Sequence, residues 1–196
     1  MTRVILASAS PARRRLLAQA GIDAQVIVSG VDEEAVSAPD ARELVRTLAE
    51  QKAAAVAADA PAGCVVIGCD SMLDLDGEVL GKPLDVAEAT DRWKRMRGRS
   101  GTLFTGHCVI DTTTGARAVE VAATIVRFGS PTDNEIEAYA RTGEPLGVAG
   151  AFTIDGRSAL FVDGIDGDHT NVIGLSLPLL RSMLRALDIE VTSLWS

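Results

Sequence analysis

The dipeptide Asp76-Gly77 constrains the fold of this chain more than any other short stretch. It joins two strand-like runs, SMLDL and EVLGK, and an Asp-Gly loop between such runs is the strongest short-range signal for a β-hairpin. Counting outward from the turn gives three cross-strand pairs: Leu75 with Glu78, Leu73 with Leu80, and Ser71 with Lys82. Because a two-residue hairpin joins antiparallel strands, this signal argues against a purely parallel, doubly wound sheet.

Strand-length and helix-length segments alternate along the rest of the chain, which predicts an α/β fold with a mixed, partly antiparallel sheet. The predicted strands are RVILA at 3–7, AQVIV at 24–28, CVVIGC at 64–69, LFTGHCVID and AVEVAATIVRF. Helices are predicted from Ser10 to Gly21, from Asp40 to about Ala58, from Asp85 to Arg97, from Ser130 to Arg141 and near 177–187. FTIDGRSALFV is expected to form a hairpin, with a glycine-rich loop at 163–168. No repeat or linker interrupts the chain, so one domain spanning 1–196 is expected.

Composition excludes several classes of protein. A net charge of -8 and an aromatic content of 4% are unlike a nucleic-acid-binding protein, which needs a basic face and stacking rings. The three cysteines lack disulfide or metal-site spacing and are interpreted as reduced core residues of a cytoplasmic protein. No run approaches the roughly 18 apolar residues of a membrane span, and 4–7 is too short for a signal peptide.

The segment SASPARRR at 8–15 places arginines at the start of a helix. Unpaired backbone N–H groups and the helix dipole already make this end positive, so Arg13 and Arg14 there favour a bound anion, with Ser8 and Ser10 beside it. Strand-to-helix turns are also favoured ligand sites in α/β proteins. The alternative is that the arginines simply face water.

Two further sites break local sequence rules. Lys52 lies four residues beyond Leu48 on the apolar face of its helix, where it either extends its ammonium to the edge of the stripe or points into a cleft at phosphate. Asp70 follows a buried strand, a frequent position for a base or metal ligand, and the hairpin register would bring Ser71 and Lys82 to it. An ordinary Asp–Lys ion pair is the alternative, and Glu33 is either a second carboxylate of the site or a solvated acid.

The chain resembles the Maf family through a series of short motifs that run in order across almost its whole length. No P-loop, Rossmann fingerprint, zinc-protease or nucleophile-elbow motif is present. The matching stretches are S-x-S-P-x-R-R, D-E at 32–33, the lysine of AEQKA, G-x-D at 68–70, G-K-P at 81–83, T-G at 105–106, G-E-P with A-G at 143–150, and V-x-G-L at 172–175.

This resemblance implies a cytoplasmic nucleoside triphosphate pyrophosphatase that cleaves between the α and β phosphates with Mg²⁺ or Mn²⁺. It implies an elongated mixed sheet flanked by helices, two lobes with a central cleft, and often a homodimer. Asp70 matches the family's proposed catalytic base, and six other residues match cleft positions: Ser8, Ser10, Arg13, Glu33, Lys52 and Lys82. Glu33 and Asp70 would hold the metal, and no nucleic-acid polymer or membrane partner is expected.

Several positions depart from the family pattern. Ala12 replaces an arginine or aromatic residue, and Gly147-Val148 replaces Asp-Lys, so one cation is missing. Cys69 and Ser71 flank Asp70 in place of Ala and Thr. Asp155 lies where related enzymes of different base preference carry Gln or Glu, and a carboxylate there could accept hydrogen bonds from a guanine edge.

Two other functions are compatible with the sequence. The family is also linked to septum formation, so the chain could be a cell-division regulator that acts by binding a protein. The departures at Ala12 and Gly147-Val148 would also suit a weakly active nucleotide binder. A pyrophosphate-release assay distinguishes these functions from the enzyme.

Overall fold

The computed structural model describes residues 2–196 and contains an α/β arrangement built on one mixed sheet. The helices are α1 (Pro11–Gln19), α2 (Ala41–Ala57), α3 (Val86–Met96), α4 (Asp133–Arg141), α5 (His169–Ile173) and α6 (Leu177–Ala186). The strands are β1 (Arg3–Leu6), β2 (Ala24–Val26), β3 (Cys64–Leu75), β4 (Glu78–Leu80), β5 (Ser100–Asp111), β6 (Arg117–Phe128) and β7 (Val162–Asp166). The predicted α/β class is therefore confirmed.

The sheet contains both parallel and antiparallel strand pairs, as the sequence predicts. Its order within the described residues is β2-β1-β3-β5-β6-β7, with β4 paired to β3. β1 is parallel to both β2 and β3, whereas β3 with β4 and β6 with β7 are antiparallel. The register of the hairpin around Asp76 and Gly77 pairs Leu75 with Glu78 and Leu73 with Leu80, so these two predicted pairs are confirmed.

The third predicted pair of that hairpin is wrong. The β3–β4 ladder ends at Leu80, and Lys82 lies beyond the strand rather than opposite Ser71. The carbonyl of Gly81 instead accepts hydrogen bonds from the backbone N–H of Gly150, at 3.0 Å, and from the guanidinium of Arg92. These bonds draw the chain away from β3 immediately after Leu80.

Side-chain caps explain where three of the helices begin. Ser10, Asp40 and Asp85 each accept a hydrogen bond from the backbone N–H three residues on, which satisfies one of the otherwise unpaired donors of the first turn. The start predicted for α4 at Ser130 is wrong by two residues. Thr132 caps that helix in a reciprocal capping box with Glu135, which satisfies two backbone donors at once.

The hairpin predicted at FTIDGRSALFV is also wrong. Residues Arg157–Phe161 form a 3₁₀ helix, and the chain becomes extended only in β7. The carboxylate of Glu144 accepts hydrogen bonds from the Thr153 hydroxyl at 2.8 Å and from the Arg157 N–H at 2.9 Å, while Ser158 Oγ accepts from the Thr153 N–H. Because side chains take these donors, no ladder forms, and β7 occupies most of the predicted glycine-rich loop.

Contacts divide the chain into two compact units. Within the described residues, the first contains 2–70, 105–122 and 174–196, and the second contains 71–104 and 123–173. The first unit buries an apolar cluster between α2 and strands β1, β3 and β5, including Ile5, Val66 and Cys108. Two glycines let α2 pack directly on these strands, because a Cβ at Gly106 would lie 2.0 Å from the Val45 carbonyl oxygen and one at Gly68 would meet the same helix.

The second unit has an aromatic core centred on Trp93. Its indole makes edge-to-face contacts with Phe128, Tyr139 and Phe161 at centroid distances of 5.6 to 5.8 Å. Aromatic ring pairs favour this arrangement. The indole N–H donates to the Ala151 carbonyl at 2.7 Å, so the one polar atom of the ring is satisfied.

Candidate active site

The turn between β1 and α1 brings Ser8 and Ser10 next to Arg13. Ser10 caps α1, and its hydroxyl accepts from the Arg13 N–H at 3.4 Å. Ser8 Oγ accepts from the Ser10 N–H at 3.2 Å and from Arg13 Nη1 at 3.0 Å. The N-terminal end of α1 therefore carries two hydroxyls and a guanidinium close together, a set of groups suited to an anion.

Arg13 is held inside the protein rather than facing water. It is 8% exposed, and its Nε donates to the Gly174 carbonyl oxygen at 2.7 Å while Nη1 donates to the Cys69 carbonyl oxygen at 2.8 Å. The simple alternative of a solvent-facing arginine is therefore wrong for Arg13. Arg14, the next residue of α1, is exposed, and its role stays a prediction.

Lys52 connects two carboxylates. Its ammonium nitrogen lies 2.6 Å from Asp70 Oδ1 and 2.6 Å from Glu33 Oε1. The Lys52 and Asp70 side chains are each 7% exposed, whereas Glu33 is 48% exposed. The lysine on the apolar face of α2 is thus inside an ion-paired cluster, and a buried cation of this kind requires such partners.

Gly68 explains how Lys52 reaches Asp70. A Cβ at Gly68 would lie 2.4 Å from the Ala49 carbonyl oxygen and 2.7 Å from the Ala53 backbone nitrogen. Only a glycine leaves room for α2 this close to β3. Lys52 projects from the turn of α2 that makes this contact, and Asp70 follows two residues after Gly68, so the close approach sets the distance between ammonium and carboxylate.

Asp70 has one occupied and one unoccupied carboxylate oxygen. Oδ1 accepts from Lys52, whereas Oδ2 is buried and has no hydrogen-bond partner within the described residues. Burial raises the pKa of Asp70, and the charges of Lys52 and Arg13 offset this only in part. A buried carboxylate with a raised pKa and a free oxygen is characteristic of a group that takes up a proton or binds a ligand.

The carboxylates of this cluster fit a divalent cation that takes only one or two protein ligands. Residues 2–196 contain no group of three or more His, Cys, Asp or Glu side chains placed to enclose a metal. Mg²⁺, however, usually binds through one or two carboxylates and completes its shell with water and substrate phosphates. The free Oδ2 of Asp70 and the half-exposed carboxylate of Glu33 match that requirement.

The cysteine beside Asp70 is a structural residue. Cys64, Cys69 and Cys108 are free and buried, as the sequence predicts. Burial raises the pKa of Cys69 to about 11 and that of Cys108 to about 12, so both thiols are protonated at neutral pH. Because the thiolate is the reactive form, neither residue is a nucleophile for this site.

The remaining candidate residues belong to the second unit. Lys82 is exposed and makes no ion pair or hydrogen bond with the part of the chain that is described. Ser71 is half-buried at the start of the second unit's portion of β3, and Asp155 is exposed in the bend before Arg157. The structure therefore brings together Ser8, Ser10, Arg13, Glu33, Lys52 and Asp70. The participation of Lys82, Ser71 and Asp155 in the site stays a prediction.

Sequence reasoning missed two contributors to this arrangement. Gly68 carried a signal, since a glycine inside an apolar strand indicates close backbone approach. Gly174 carried only a weak one, because the hydrogen bond from Arg13 to its carbonyl joins residues that are 161 positions apart.

None of the helices in residues 2–196 is both long enough and apolar enough to cross a membrane.

Comparison with known proteins gives consistent matches over nearly the whole chain. The model of the family described as Maf-like protein matches residues 3–187. A protein of Streptomyces coelicolor named nucleoside triphosphate pyrophosphatase is 64% identical over 195 residues, covering 99% of this chain and 95% of that protein. A protein of Synechococcus elongatus with the same name is 51% identical, covering 98% and 97%.

A solved structure is similar only at a low level. It is a nucleoside-triphosphatase, also described as a dITP/XTP pyrophosphatase, from Mycobacterium abscessus, with 12% identity and a TM-score of 0.39 over 64% of this chain and 72% of that one. This likeness is too weak to support an argument. The family match and the close full-length relatives are sufficient by themselves: the chain belongs to the Maf-like protein family.

Proposed function

We propose that this protein is a nucleoside triphosphate pyrophosphatase. It hydrolyses the anhydride between the α and β phosphates, consumes one water molecule and releases a nucleoside monophosphate and pyrophosphate. The observation that carries the proposal is the cluster in which Lys52 joins the buried Asp70 to the half-exposed Glu33, while Asp70 Oδ2 has no hydrogen-bond partner within the described residues. The names of the close relatives support the same activity, and no observation favours the cell-division alternative.

Asp70 is the residue that acts on the attacking water. Its Oδ2 is available to orient that water or accept its proton, and burial raises the pKa of the carboxyl toward the range in which a general base is effective. The water oxygen forms the new bond to phosphorus, the bridging oxygen leaves with pyrophosphate, and the proton passes to Asp70. Lys52 keeps the other oxygen fixed, so the carboxylate presents one face only.

The phosphate chain binds at the N-terminal end of α1. The hydroxyls of Ser8 and Ser10 and the positive charge of Arg13 lie there, and Arg14 adds a second, exposed guanidinium. Lys82 is expected to neutralise charge on the leaving pyrophosphate. Fixed cations aimed at the charge that develops in the transition state are the main source of rate enhancement in phosphoryl transfer.

A divalent cation, Mg²⁺ or Mn²⁺, is part of the proposal. Asp70 and Glu33 would hold it together with the substrate phosphates. When bound, it supplies charge neutralisation on the phosphate oxygens and lowers the pKa of coordinated water. The protein's own contribution is to keep these two carboxylates in reach of one another through their shared contact with Lys52.

The base of the nucleotide is proposed to contact Asp155. A carboxylate accepts hydrogen bonds and cannot donate them when ionised, so Asp155 favours a base that presents N–H groups, such as a guanine edge. A free nucleotide rather than a nucleic-acid polymer is the expected substrate. A cytoplasmic location and a homodimer stay predictions.

The test is pyrophosphate release from a panel of nucleoside triphosphates, with and without Mn²⁺. We expect metal-dependent release by the wild-type protein and no detectable turnover by Asp70→Asn, which keeps the size of the side chain but cannot accept a proton at neutral pH. The matched control is Asp59→Asn, because Asp59 is an exposed carboxylate of the same unit. Near-normal turnover by Asp70→Asn, or an equal loss in Asp59→Asn, would overturn the proposal.

A further inference from the structure

The ring of His107 hydrogen-bonds to the backbone on both sides. Nδ1 lies 3.0 Å from the Thr105 carbonyl oxygen, and Nε2 lies 2.8 Å from the Ser176 backbone nitrogen. A carbonyl only accepts and an amide N–H only donates, so the ring is neutral with its proton on Nδ1. His107 is fully buried, whereas His169, the chain's other histidine, has a side chain that is 70% exposed.

The segment from Gly174 to Ser176 links His107 to Arg13. Ser176 caps α6, and its N–H donates to His107. Two residues earlier, the Gly174 carbonyl accepts from Arg13 Nε at 2.7 Å. Gly174 has a φ of 126°, a conformation that residues with a side chain rarely adopt. The direction of the Gly174 carbonyl therefore depends on how the segment is held, including by the hydrogen bond from Ser176 to His107.

Arg13 connects the segment from Gly174 to Ser176 with the candidate active site. Its guanidinium is planar, so a bond that fixes Nε also fixes the direction of Nη1. Nη1 donates to the Cys69 carbonyl, immediately before Asp70, and to Ser8 Oγ. All of these residues lie in the first unit.

We infer that His107 is a positioning residue for the proposed reaction. By accepting the Ser176 N–H it holds the segment from Gly174 to Ser176, and that segment holds the guanidinium of Arg13 against Ser8 and the backbone before Asp70. His107 acts through Arg13. The functional consequence rests on the proposed pyrophosphatase activity, whereas the link from His107 to Arg13 is measurable without it.

Three substitutions at His107 separate its two hydrogen bonds. His107→Phe keeps a ring but removes both nitrogens. His107→Gln places an amide oxygen near the position of Nε2 and can accept from Ser176, whereas His107→Asn is too short to reach it. His169→Phe is the matched control, since it removes the exposed histidine.

The first measurement is the kinetics of pyrophosphate release. We expect His107→Phe and His107→Asn to lose about tenfold or more in kcat/KM, His107→Gln to recover most of that loss, and His169→Phe to match the wild type. In an Arg13→Lys background, His107→Phe should add less than about twofold, because both changes interrupt one connection. Losses in kcat/KM that multiply when His107→Phe and Arg13→Lys are combined would overturn the inference. Equal losses in His107→Gln and His107→Asn would also overturn it.

The second measurement does not depend on activity. The ¹⁵N-labelled Nε–H group of Arg13, assigned by its disappearance in Arg13→Lys, should exchange slowly with solvent in the wild type, His107→Gln and His169→Phe. It should exchange at least about tenfold faster in His107→Phe and His107→Asn. If His107→Phe does not fold, the Gln and Asn pair decides the result. Unchanged exchange in a folded Asn variant would refute the link, while absence of turnover in the wild type would instead refute the proposed function.

Discussion

Replacing Gly68 by alanine should separate Lys52 from Asp70 without changing either residue. The added methyl would lie 2.4 Å from the Ala49 carbonyl oxygen and 2.7 Å from the Ala53 backbone nitrogen. Both atoms belong to the backbone of α2, so no side-chain rotation can relieve the contact. The helix must move away from β3.

The size of this effect follows from the distances. Ordinary van der Waals contact begins near 3.4 Å, so the helix has to retreat by about 1 Å. Overpacking of a well-filled interior costs about 1–3 kcal/mol of unfolding free energy. The same retreat stretches the 2.6 Å contact between the Lys52 ammonium and Asp70 to the limit of a hydrogen bond. A misplacement of about 1 Å in an active site lowers activity by on the order of a hundredfold.

Urea unfolding and pyrophosphate release test the two parts of this prediction. A loss of about 1–3 kcal/mol lowers the urea midpoint by roughly 0.5–1.5 M for a protein of this size. Gly147→Ala is the control, because a Cβ at Gly147 meets nothing within 4 Å and its φ is not positive. A midpoint for Gly68→Ala equal to that of the control would show that α2 does not need the glycine. Full activity in a destabilised variant would show that the helix position does not set the active cluster.

Two predictions concern the pH dependence of stability, measured by chemical denaturation over a series of pH values. Burial raises the pKa of Asp70 above its ordinary value of 3.8, so ionisation of this carboxyl destabilises the native state as the pH rises past 3.8. The free energy of unfolding of Asp70→Asn relative to the wild type should therefore increase from pH 3.8 upward. A difference that does not change with pH contradicts this prediction. Burial alone would raise the pKa of Glu144, but hydrogen bonds from Thr153 and Arg157 lower it on balance. The ionised Glu144 therefore contributes to the free energy of unfolding above pH 4.5, and this contribution is lost on acidification. Glu144→Gln should be less stable than the wild type at neutral pH, and the difference should shrink below pH 4.5. A difference that persists in acid would refute the hydrogen-bonding explanation.

The parts of the fold that were predictable from sequence depend on contacts within a few residues. The hairpin register around Asp76 and Gly77 and the caps at Ser10, Asp40 and Asp85 are determined by turn and cap chemistry that operates over three or four positions. These features hold in the structure because no distant group competes for the same donors.

Two of the incorrect predictions involve backbone or hydroxyl groups that a distant partner captures. Glu144 lies nine or more residues from the Thr153 and Arg157 groups that it binds, and it converts a predicted hairpin into a 3₁₀ turn. Gly150 likewise takes the Gly81 carbonyl and ends the β3–β4 ladder before Lys82. A period-2 pattern cannot reveal such competition, because it describes which face a residue occupies and not which partner its backbone finds.

The candidate site was predictable in its residues but not in its connections. Asp70, Lys52 and Glu33 stood out because each breaks a local rule or follows a buried strand, and the structure joins them through one ammonium. The sequence predicted that Arg13 faces either an anion or water. In the structure its guanidinium is fixed by two carbonyls, which no spacing rule specifies because Gly174 lies at the far end of the chain.

The formal charges of this cluster bear on how a triphosphate could bind. Arg13 and Lys52 balance Asp70 and Glu33, so the four side chains sum to zero. This balance helps to account for the burial of Arg13, Lys52 and Asp70, since an uncompensated ion in the interior is strongly unfavourable. It also means that none of this positive charge is in excess. A polyanion placed beside Asp70 would lose its hydration without a net electrostatic attraction to replace it, unless further cations arrive with it. In the proposed function, a divalent cation held by Asp70 and Glu33 would supply that charge. The expected metal requirement therefore follows from charge balance, and it does not need a preformed metal cage.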